Sequence, residues 1–353
     1  MIALLLDDPK AMQKIDASDM LSAIEKTPDR LKPPADAEST CHINVERPTV
    51  VVFGGLGGSG IAGDILADYC RDASEIPVMV SRSVGLQRFV GEGALFVAVS
   101  YSGDTQETLG MFQQAKEAHA ASAIVTSGGR LLALAIEESV PYLKVTSGMP
   151  PRVALPELVA ALVHLAGEAG VLKDSKGVLE SASVSTRAVI DAVKVDVPLA
   201  QNPAKQVASS LFGRLPLLVG DEENGSVLRR FKNELNENSK LPAFCYILPE
   251  AYHNDIEGFG ALAHLSNTQP IVLESARRNL HEELLREKLS ETFSKFGYPP
   301  PRFFSGIGTD RLGWLISAIT FGDFVSFYLA MLNGVDPSKL SLIPTFRALK
   351  GQV

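Results

Sequence analysis

The chain has 353 residues, of which 46% are hydrophobic and 21% charged, and its net charge is −8 at pH 7. This composition is typical of a globular protein of about two domains, and the negative charge argues against nucleic acid or an anionic membrane as a partner. The cysteines, Cys41, Cys70 and Cys245, lie far apart, which predicts free thiols in the reducing cytoplasm. The N-terminus has no basic segment, and no run of about 18 apolar residues occurs, so neither a signal peptide nor a membrane span is expected.

The first 47 residues are predicted to form a helical arm and a connector. Apolar residues recur at helical spacing between about Asp7 and Leu31, which predicts a helix there. Pro33 and Pro34 would end that helix. A polar connector then leads to residue 48, where we expect the first α/β domain to begin.

An apolar run that ends in glycines follows. Val50–Phe53 predicts a buried strand, Gly54–Gly60 a turn, and the apolar-periodic residues after it a helix. Glycines let the backbone approach a ligand, and the helix N-terminus offers N–H groups to an anion beside Gly58 and the Ser59 hydroxyl. Three of the glycines also match the dinucleotide fingerprint, in which Arg82 would hold a 2′-phosphate. A turn without any ligand has the same pattern, whereas a nucleotide P-loop is excluded because no Gly-Lys-Ser/Thr follows.

A second turn carries several hydroxyl groups. The predicted strand Ala94–Val99 runs into Ser100, Ser102 and Thr105 at the start of another predicted helix. Clustered hydroxyls and helix N-terminal amides bind a phosphate monoester without needing a lysine. One such residue would be an ordinary N-cap, but three at one turn, beside a glycine loop, favour a bound phosphate.

Strands and helices alternate over most of the chain, which predicts two parallel, doubly wound α/β units. We expect the first unit at residues 48–168, a helical linker at 169–205, and the second unit at 206–353 with a C-terminal helical tail. The apolar stretch 312–332 predicts a helix in the core or at a dimer interface. The predicted strands are Thr49–Gly54, Pro77–Val80, Ala94–Val99, Ser122–Thr126, Tyr142–Val145, Leu215–Gly220, Ala243–Leu248 and Gln269–Glu274.

The second unit offers acids and a histidine where the first offers hydroxyls. Glu237 closes a predicted helix and His253 follows a predicted strand, and such ends carry the sites of α/β folds. With equal weight, Glu237 would pair with Lys240 on a solvated surface, and His253 would be an ordinary loop histidine. Arg152, which follows two prolines, is by itself best explained as a surface arginine. No Cys/His cluster has the spacing of a zinc site.

Several segments resemble one family in the same order along the chain. Gly57–Asp64 and Ser100–Thr108 resemble segments of sugar isomerase (SIS) domains. More narrowly, they are similar to those of the bifunctional phosphoglucose/phosphomannose isomerases. The Asn-Glu-Asn-Ser-Lys run around Glu237 and the His-Asn-Asp-Ile-Glu-Gly run that begins at His253 resemble the two catalytic motifs of that family.

The Pro-Arg pair that ends at Arg152 and the late Lys350 resemble two further motifs of the family. The stretch before Lys350 is longer than the family pattern, which leaves Lys339 as an alternative. Asp104 stands where the family pattern has an asparagine, and it adds a negative charge beside the expected phosphate.

The resemblance implies two SIS domains of the doubly wound, flavodoxin-like fold, with a helical N-terminal arm and a C-terminal helix. It also implies an aldose–ketose isomerase that interconverts glucose 6-phosphate, and mannose 6-phosphate, with fructose 6-phosphate through a cis-enediolate. Members of the family are homodimers in which a histidine reaches the active site from the neighbouring subunit. Neither a cofactor nor a metal ion is implied.

The resemblance assigns roles to particular residues. Glu237 would move the proton, Arg152 would stabilise the enediolate, and His253, assisted by Lys350, would open the sugar ring. The substrate phosphate would be held by Gly58, Ser59, Ser100, Ser102 and Thr105. Two other functions remain open: a non-catalytic SIS regulator that binds a sugar phosphate, and an NADP-dependent oxidoreductase that uses the glycine loop and Arg82.

Overall fold

The computed structural model describes residues 5–34, 43, 45, 47–265, 267–275 and 280–350 of the chain. Its strands form two parallel sheets, which confirms the predicted doubly wound α/β class. The strands are β1 Val50–Gly54, β2 Val78–Ser81, β3 Ala94–Ser100, β4 Ala121–Thr126, β5 Tyr142–Lys144, β6 Leu215–Asp221, β7 Phe244–Leu248, β8 Thr268–Leu273 and β9 Arg302–Phe304.

The described helices lie between the strands and at the two ends of the chain. They are α1 Pro9–Ile15, α2 Met20–Glu25, α3 Thr27–Arg30, α4 Gly57–Ala73, α5 Gln106–Glu117, α6 Gly129–Glu137, α7 Leu155–Glu168, α8 Ser175–Val193, α9 Pro203–Leu211, α10 Gly225–Glu237, α11 Phe259–Leu265, α12 Leu280–Lys295, α13 Arg311–Asn333 and α14 Leu342–Lys350.

The first sheet has the order β2-β1-β3-β4-β5, with β1 and β3 side by side near its centre. Every residue of these two strands is buried, because alternate side chains enter separate cores on the two faces. Phe53 and Val97 lie in one core, and Val52 and Phe96 in the other. The chain leaves β1 toward one edge and β3 toward the other. The loops after these strands therefore flank the switch point at which doubly wound sheets bind ligands.

The second sheet repeats this pattern in the order β7-β6-β8-β9. All eight strands predicted from the sequence are present, each with bounds within one residue of the prediction. The strand β9 was not predicted. It has three residues and directly follows the prolines at 299–301, so it is too short to show a period of its own.

The helix α13 forms the core of the second half of the chain. By length and composition it is apolar enough to cross a membrane, but 94% of its most apolar window is buried inside the protein. The helices α8 and α9 pack along it, so the segment predicted as a helical linker contributes to this core. Since α13 finds its apolar partners within the chain, its hydrophobicity is not an argument for a dimer interface.

The N-terminal arm consists of three short helices, α1 to α3, and not of the single helix that its periodicity predicts. The Asp16 carboxylate accepts hydrogen bonds from the backbone N–H groups of Met20 and Leu21 at 2.8 and 2.9 Å, so it ends one helix and starts the next. At the end of the arm, Arg30 Nη1 donates to the Val153 carbonyl at 3.4 Å. The arm therefore rests on the segment that precedes α7.

The two halves of the chain meet where α4 packs against α10. The two helices run antiparallel. The Ser226 N–H, at the start of α10, donates to Asp68 near the end of α4 at 2.8 Å. One turn along, Arg229 lies 3.6 Å from the Asp64 carboxylate. The N-terminus of α4 and the C-terminus of α10 consequently lie at the same end of this interface.

Candidate active site

The loop after β1 leaves the N-terminus of α4 open. The helix begins at Gly57, whose φ is +56°, and no described side chain caps it. A Cβ atom at position 60 would lie 2.6 Å from the Gly55 carbonyl oxygen, so Gly60 is required for the tight turn. The first N–H groups of α4 are thus available to an anion.

The hydroxyl groups of the two loops lie in one cluster. Ser59 Oγ accepts a hydrogen bond from the backbone N–H of Tyr101 at 3.1 Å, and the Ser100 and Thr105 hydroxyls are 2.9 Å apart. Thr105 is the N-cap residue of α5, but its side chain makes no capping bond. Ser102 is exposed, and its hydroxyl accepts from the Asp104 N–H at 3.3 Å. The predicted phosphate-binding residues therefore share the two loops at the switch point of the first sheet.

The extra negative charge of Asp104 is compensated within the protein. Its carboxylate accepts a hydrogen bond from the Arg130 backbone N–H at 3.1 Å and pairs with Arg130 Nε at 3.4 Å. Both side chains are more than half exposed, so the pair is screened by solvent. The negative charge that Asp104 adds relative to the family pattern is therefore balanced by the positive charge of Arg130.

Arg82, the candidate for a 2′-phosphate, is engaged by the protein itself. Its Nη2 donates to the Gly60 carbonyl at 3.0 Å and also to the Asp64 carboxylate. The guanidinium thus braces the glycine turn against α4. This arrangement weakens one of the two features that made an NADP-dependent oxidoreductase a candidate, and the glycine fingerprint remains.

Tyr101 and Gly58 join the loops after β1 and β3 to the segment that carries Arg152. The Tyr101 phenol donates to the Thr146 carbonyl at 3.0 Å and accepts from the Met149 N–H at 2.9 Å. A Cβ atom on Gly58 would lie 3.3 Å from the Pro151 carbonyl oxygen and 3.7 Å from Arg152 Cα. The glycine loop and the arginine are therefore direct neighbours.

Arg152 is 5% exposed, so its interpretation as a surface arginine is wrong. The guanidinium uses three different nitrogens. Nε donates to Asn238 Oδ1 at 2.9 Å, Nη1 to Glu237 Oε2 at 3.4 Å, and Nη2 to the Pro337 carbonyl at 2.7 Å. These bonds fix its plane at the point where the two halves of the chain meet the C-terminal tail.

Glu237 is the last residue of α10, and 31% of its side chain is exposed. Lys240 does not pair with its carboxylate: the ammonium group donates to the Glu237 backbone carbonyl. Burial, followed by the nearby Arg152 charge, lowers the pKa of Lys240 below its usual value. One carboxylate and one fixed guanidinium thus stand beside the hydroxyl-rich loops, and the carboxylate remains accessible.

Sequence reasoning missed the polar residues behind this pair, which are Arg230, Glu234, Asn238 and Asp323. All four are buried, with at most 8% exposed. Two signals were available. Positions 230, 234 and 238 follow one another at the helical spacing of four residues. Asp323 is the only acid in the apolar helix α13, and a lone acid in such a helix needs a buried partner.

The structure does not bring His253 into this group. It is exposed and follows the short helical turn Glu250–Tyr252 after β7. Within the described part of the chain it makes no side-chain hydrogen bond or ion pair with the residues above. The side chain of Lys350 lies outside what the structure describes, and Lys339 is exposed. The C-terminal tail nevertheless reaches the site through the Pro337 carbonyl.

Comparison with known proteins identifies relatives over most of the chain. Residues 200–349 match the model of the bacterial phospho-glucose isomerase C-terminal SIS domain. A bifunctional phosphoglucose/phosphomannose isomerase of Caldicellulosiruptor bescii is 30% identical over 92% of this chain and 96% of its own. A D-glucosamine-6-phosphate 4-epimerase of Sulfolobus acidocaldarius is 31% identical over 88% of this chain and 92% of its own.

The fold is also found among solved structures. The crystal structure of a glucose-6-phosphate isomerase like protein from Thermus thermophilus matches 98% of this chain and 99% of its own, with a TM-score of 0.64 and 17% identity. At this identity the match shows that the two proteins share a fold. Together with the sequence relatives, it confirms the SIS-type α/β architecture and the family that the motifs resemble. The chain belongs to the bifunctional phosphoglucose/phosphomannose isomerase family.

Proposed function

We propose that this protein interconverts both glucose 6-phosphate and mannose 6-phosphate with fructose 6-phosphate, through a cis-enediolate and without a metal ion. The observation that carries the proposal is the pairing of the partly exposed Glu237 carboxylate with the buried Arg152 guanidinium at 3.4 Å. This pair stands next to the open N-terminus of α4. An acid–base group, a fixed cation and an anion site in one place are what the isomerisation of a sugar phosphate needs.

The substrate phosphate binds at the loops after β1 and β3. The N–H groups at the start of α4, including that of Gly58, and the hydroxyls of Ser59, Ser100, Ser102 and Thr105 donate to its oxygens. In the free protein some of these hydroxyls bond one another. A hydroxyl rotates its hydrogen to suit a new acceptor, so the cluster serves the phosphate without rearranging the backbone.

Glu237 moves the proton between C1 and C2. A single carboxylate over one face of the sugar serves both carbons, and the intermediate carries negative charge on the two oxygens of an enediolate. Arg152 stabilises that charge. Its orientation is fixed before the substrate arrives, so little reorganisation is needed during the reaction. C2 is planar in the intermediate, and rotation about the C2–C3 bond lets the same carboxylate return the proton to either face of C2, so either aldose can form.

His253 opens the sugar ring from the neighbouring subunit of a homodimer, and Lys350 assists. The support for this step is the position of His253, which is exposed on its own subunit and forms no side-chain hydrogen bond or ion pair with the described residues of the local site. An imidazole can both accept and donate a proton, which suits proton exchange between the ring oxygen and the C1 hydroxyl. The boundaries of the SIS domains, at residues 48–168 and 206–353, and a cytoplasmic location belong to the same proposal.

A coupled assay with purified protein tests the proposal. We expect turnover of both aldose phosphates to fructose 6-phosphate, and incorporation of solvent deuterium at C2 of the recovered aldose. Activity should survive treatment with a chelator. Deuterium-free product would contradict the enediolate step.

Glucosamine 6-phosphate belongs in the same assay, because one relative of equal similarity is named a 4-epimerase of that sugar. Epimerisation of glucosamine 6-phosphate without any aldose–ketose turnover would replace the proposal by that reaction. Binding of sugar phosphates without turnover would favour the non-catalytic regulator instead.

A further inference from the structure

A buried polar network lies directly behind the Arg152–Glu237 pair. Its centre is Glu234, which is 2% exposed and sits one helical turn before Asn238 on α10. Two charged residues, Arg230 and Asp323, complete the network from α10 and α13. Buried polar groups of this kind are costly unless they are fully paired, so their arrangement calls for an explanation.

A continuous path of hydrogen bonds leads from Glu234 to Arg152. Asn238 Nδ2 donates to Glu234 Oε2 at 2.9 Å, and Asn238 Oδ1 accepts from Arg152 Nε at 2.9 Å. The same Nδ2 also donates to the Ser326 hydroxyl at 2.9 Å. Because the amide donates at one end and accepts at the other, Glu234 and Ser326 together determine which way round the amide lies. The reversed amide would present its NH₂ group to the guanidinium, and two donors would then face each other.

The second support for Arg152 comes from Arg230. Its Nη2 donates to the Arg152 carbonyl at 3.1 Å. Arg230 is itself held on both sides: Nε and Nη2 donate to the two Asp323 oxygens at 3.1 and 3.2 Å, and Nη1 lies 2.7 Å from Glu234 Oε1. Glu234 thus contacts Asn238, which binds the Arg152 side chain, and Arg230, which binds the Arg152 backbone carbonyl.

We propose that Glu234 is a positioning residue for the isomerisation, which orients the Arg152 guanidinium through the side-chain amide of Asn238. The inference rests on the proposed function, since it concerns the cation that stabilises the enediolate. Glu234 does not touch the substrate. Its effect is to keep the guanidinium in one plane, and a displacement of about 1 Å at such a group lowers a rate by about 10²-fold.

The protonation state of Glu234 follows from the charges around it. The titratable and charged groups that face it are Arg230 and Glu237 on α10, Asp323 on α13, and Arg152 on the segment before α7. The N-terminal arm approaches the same small cavity with Met20, Ala23, Ile24 and Thr27, none of which titrates. Two guanidinium groups balance Asp323 and Glu237, so an uncharged Glu234 leaves the network neutral.

Burial supports the uncharged form. Desolvation, opposed in part by Arg230, raises the pKa of Glu234 to about 8. Asp323 receives two hydrogen bonds from Arg230 and is the better site for the negative charge. When Glu234 ionises as the pH rises, an additional negative charge competes with the enediolate for Arg152. We therefore expect activity to fall as Glu234 ionises.

The test is a double-mutant cycle in the full-length protein with kcat and KM for glucose 6-phosphate. We expect Glu234→Met and Asn238→Ala each to lower kcat by about 10²-fold with KM nearly unchanged. The double variant should be no slower than the slower single variant, because both act through the same bond. Multiplied losses in kcat would show that Glu234 does not act through Asn238 and would overturn the proposal.

Glu234→Gln keeps the shape and one acceptor oxygen, which can still serve the Asn238 amide, and it cannot ionise. We expect it to retain most of the wild-type kcat at neutral pH and to lack the fall in kcat that the wild type shows above about pH 8. The matched control is Asp68→Asn, which replaces another buried acid that contacts α10 away from Arg152; its pH profile should follow the wild type. A Gln variant as slow as the Met variant, or one with an unchanged alkaline limb, would refute the positioning role.

The two proposals fail in different ways. A wild-type protein without turnover of either sugar phosphate overturns the proposed function and this inference with it. A wild type that is active, combined with additive losses in the cycle, overturns only the role of Glu234.

Discussion

Replacing Arg152 by lysine tests the most specific feature of the site. The substitution Arg152→Lys keeps the positive charge but removes the planar group that donates to Asn238, Glu237 and the Pro337 carbonyl from three nitrogens. A lysine ammonium group reaches only one of these three acceptors. At least one of the two buried acceptors, Asn238 Oδ1 and the Pro337 carbonyl, therefore loses its partner, which costs about 1–3 kcal/mol of unfolding free energy. Loss of a preorganised donor to a developing oxyanion lowers kcat by about 10²–10³-fold.

The assay is steady-state kinetics on both aldose phosphates, with thermal unfolding as a check on the fold. KM should change little, since we propose that the hydroxyl-rich loops hold the phosphate. Arg30→Lys is the matched control: Arg30 bonds the adjacent Val153 carbonyl at 3.4 Å and lies 3.8 Å from Glu157, but it does not touch Glu237. A folded Arg152→Lys protein with a kcat close to that of the wild type would refute the role of the guanidinium.

Four further outcomes are expected. Glu237→Gln should lower turnover of both aldose phosphates together by at least about 10²-fold; loss of only one activity would contradict a shared base. Ser102→Ala should raise KM and largely preserve kcat, because it removes binding more than chemistry, and an unchanged KM in a folded variant would argue against this phosphate site. Sedimentation under assay conditions should show a dimer, since His253 is proposed to act across subunits, and an active monomer would exclude that. Burial raises the pKa of Asp68 from 3.8 to about 6, so its ionisation lowers the unfolding free energy of the wild type by about 3 kcal/mol as the pH rises from about 4 to about 6. Asp68→Asn should remove this decline. An equal decline in the variant would contradict the role of Asp68.

The sequence predicted the fold well because the relevant signals are local. The buried runs of β1 and β3 are continuous and apolar, and glycines mark the turn at residues 54–60. The N-terminal arm was predicted as one helix because its apolar period continues across the break. The break comes from one side chain, Asp16, which caps α2. A periodic pattern does not reveal such a competing hydrogen bond.

The candidate site was only partly predictable, since its contacts connect distant parts of the chain. Arg152 bonds residues 85, 86 and 185 positions away, and nothing near it in the sequence indicates that it is buried. From the residues alone it resembled a surface arginine, and only the family motifs suggested otherwise. The partner of Asp104 is likewise 26 positions away. Side-chain networks of this kind become visible only when the packing of α4, α10 and α13 is known.

The two sheets share a strand order, yet the second half of the chain has no counterpart of the proposed phosphate site among its described residues, and Asp68 supplies a reason. In the first half, the N-terminus of α4 has no described side-chain cap. In the second half, the equivalent helix α10 also lacks a cap from its own N-cap residue, Asn224. The Asp68 carboxylate, from α4, fills that place by accepting the Ser226 N–H at 2.8 Å. A fixed internal anion at a helix N-terminus excludes a second anion by repulsion. The same contact that holds the two halves together therefore disfavours an anion at the N-terminus of α10, in keeping with the proposed phosphate site at the first sheet.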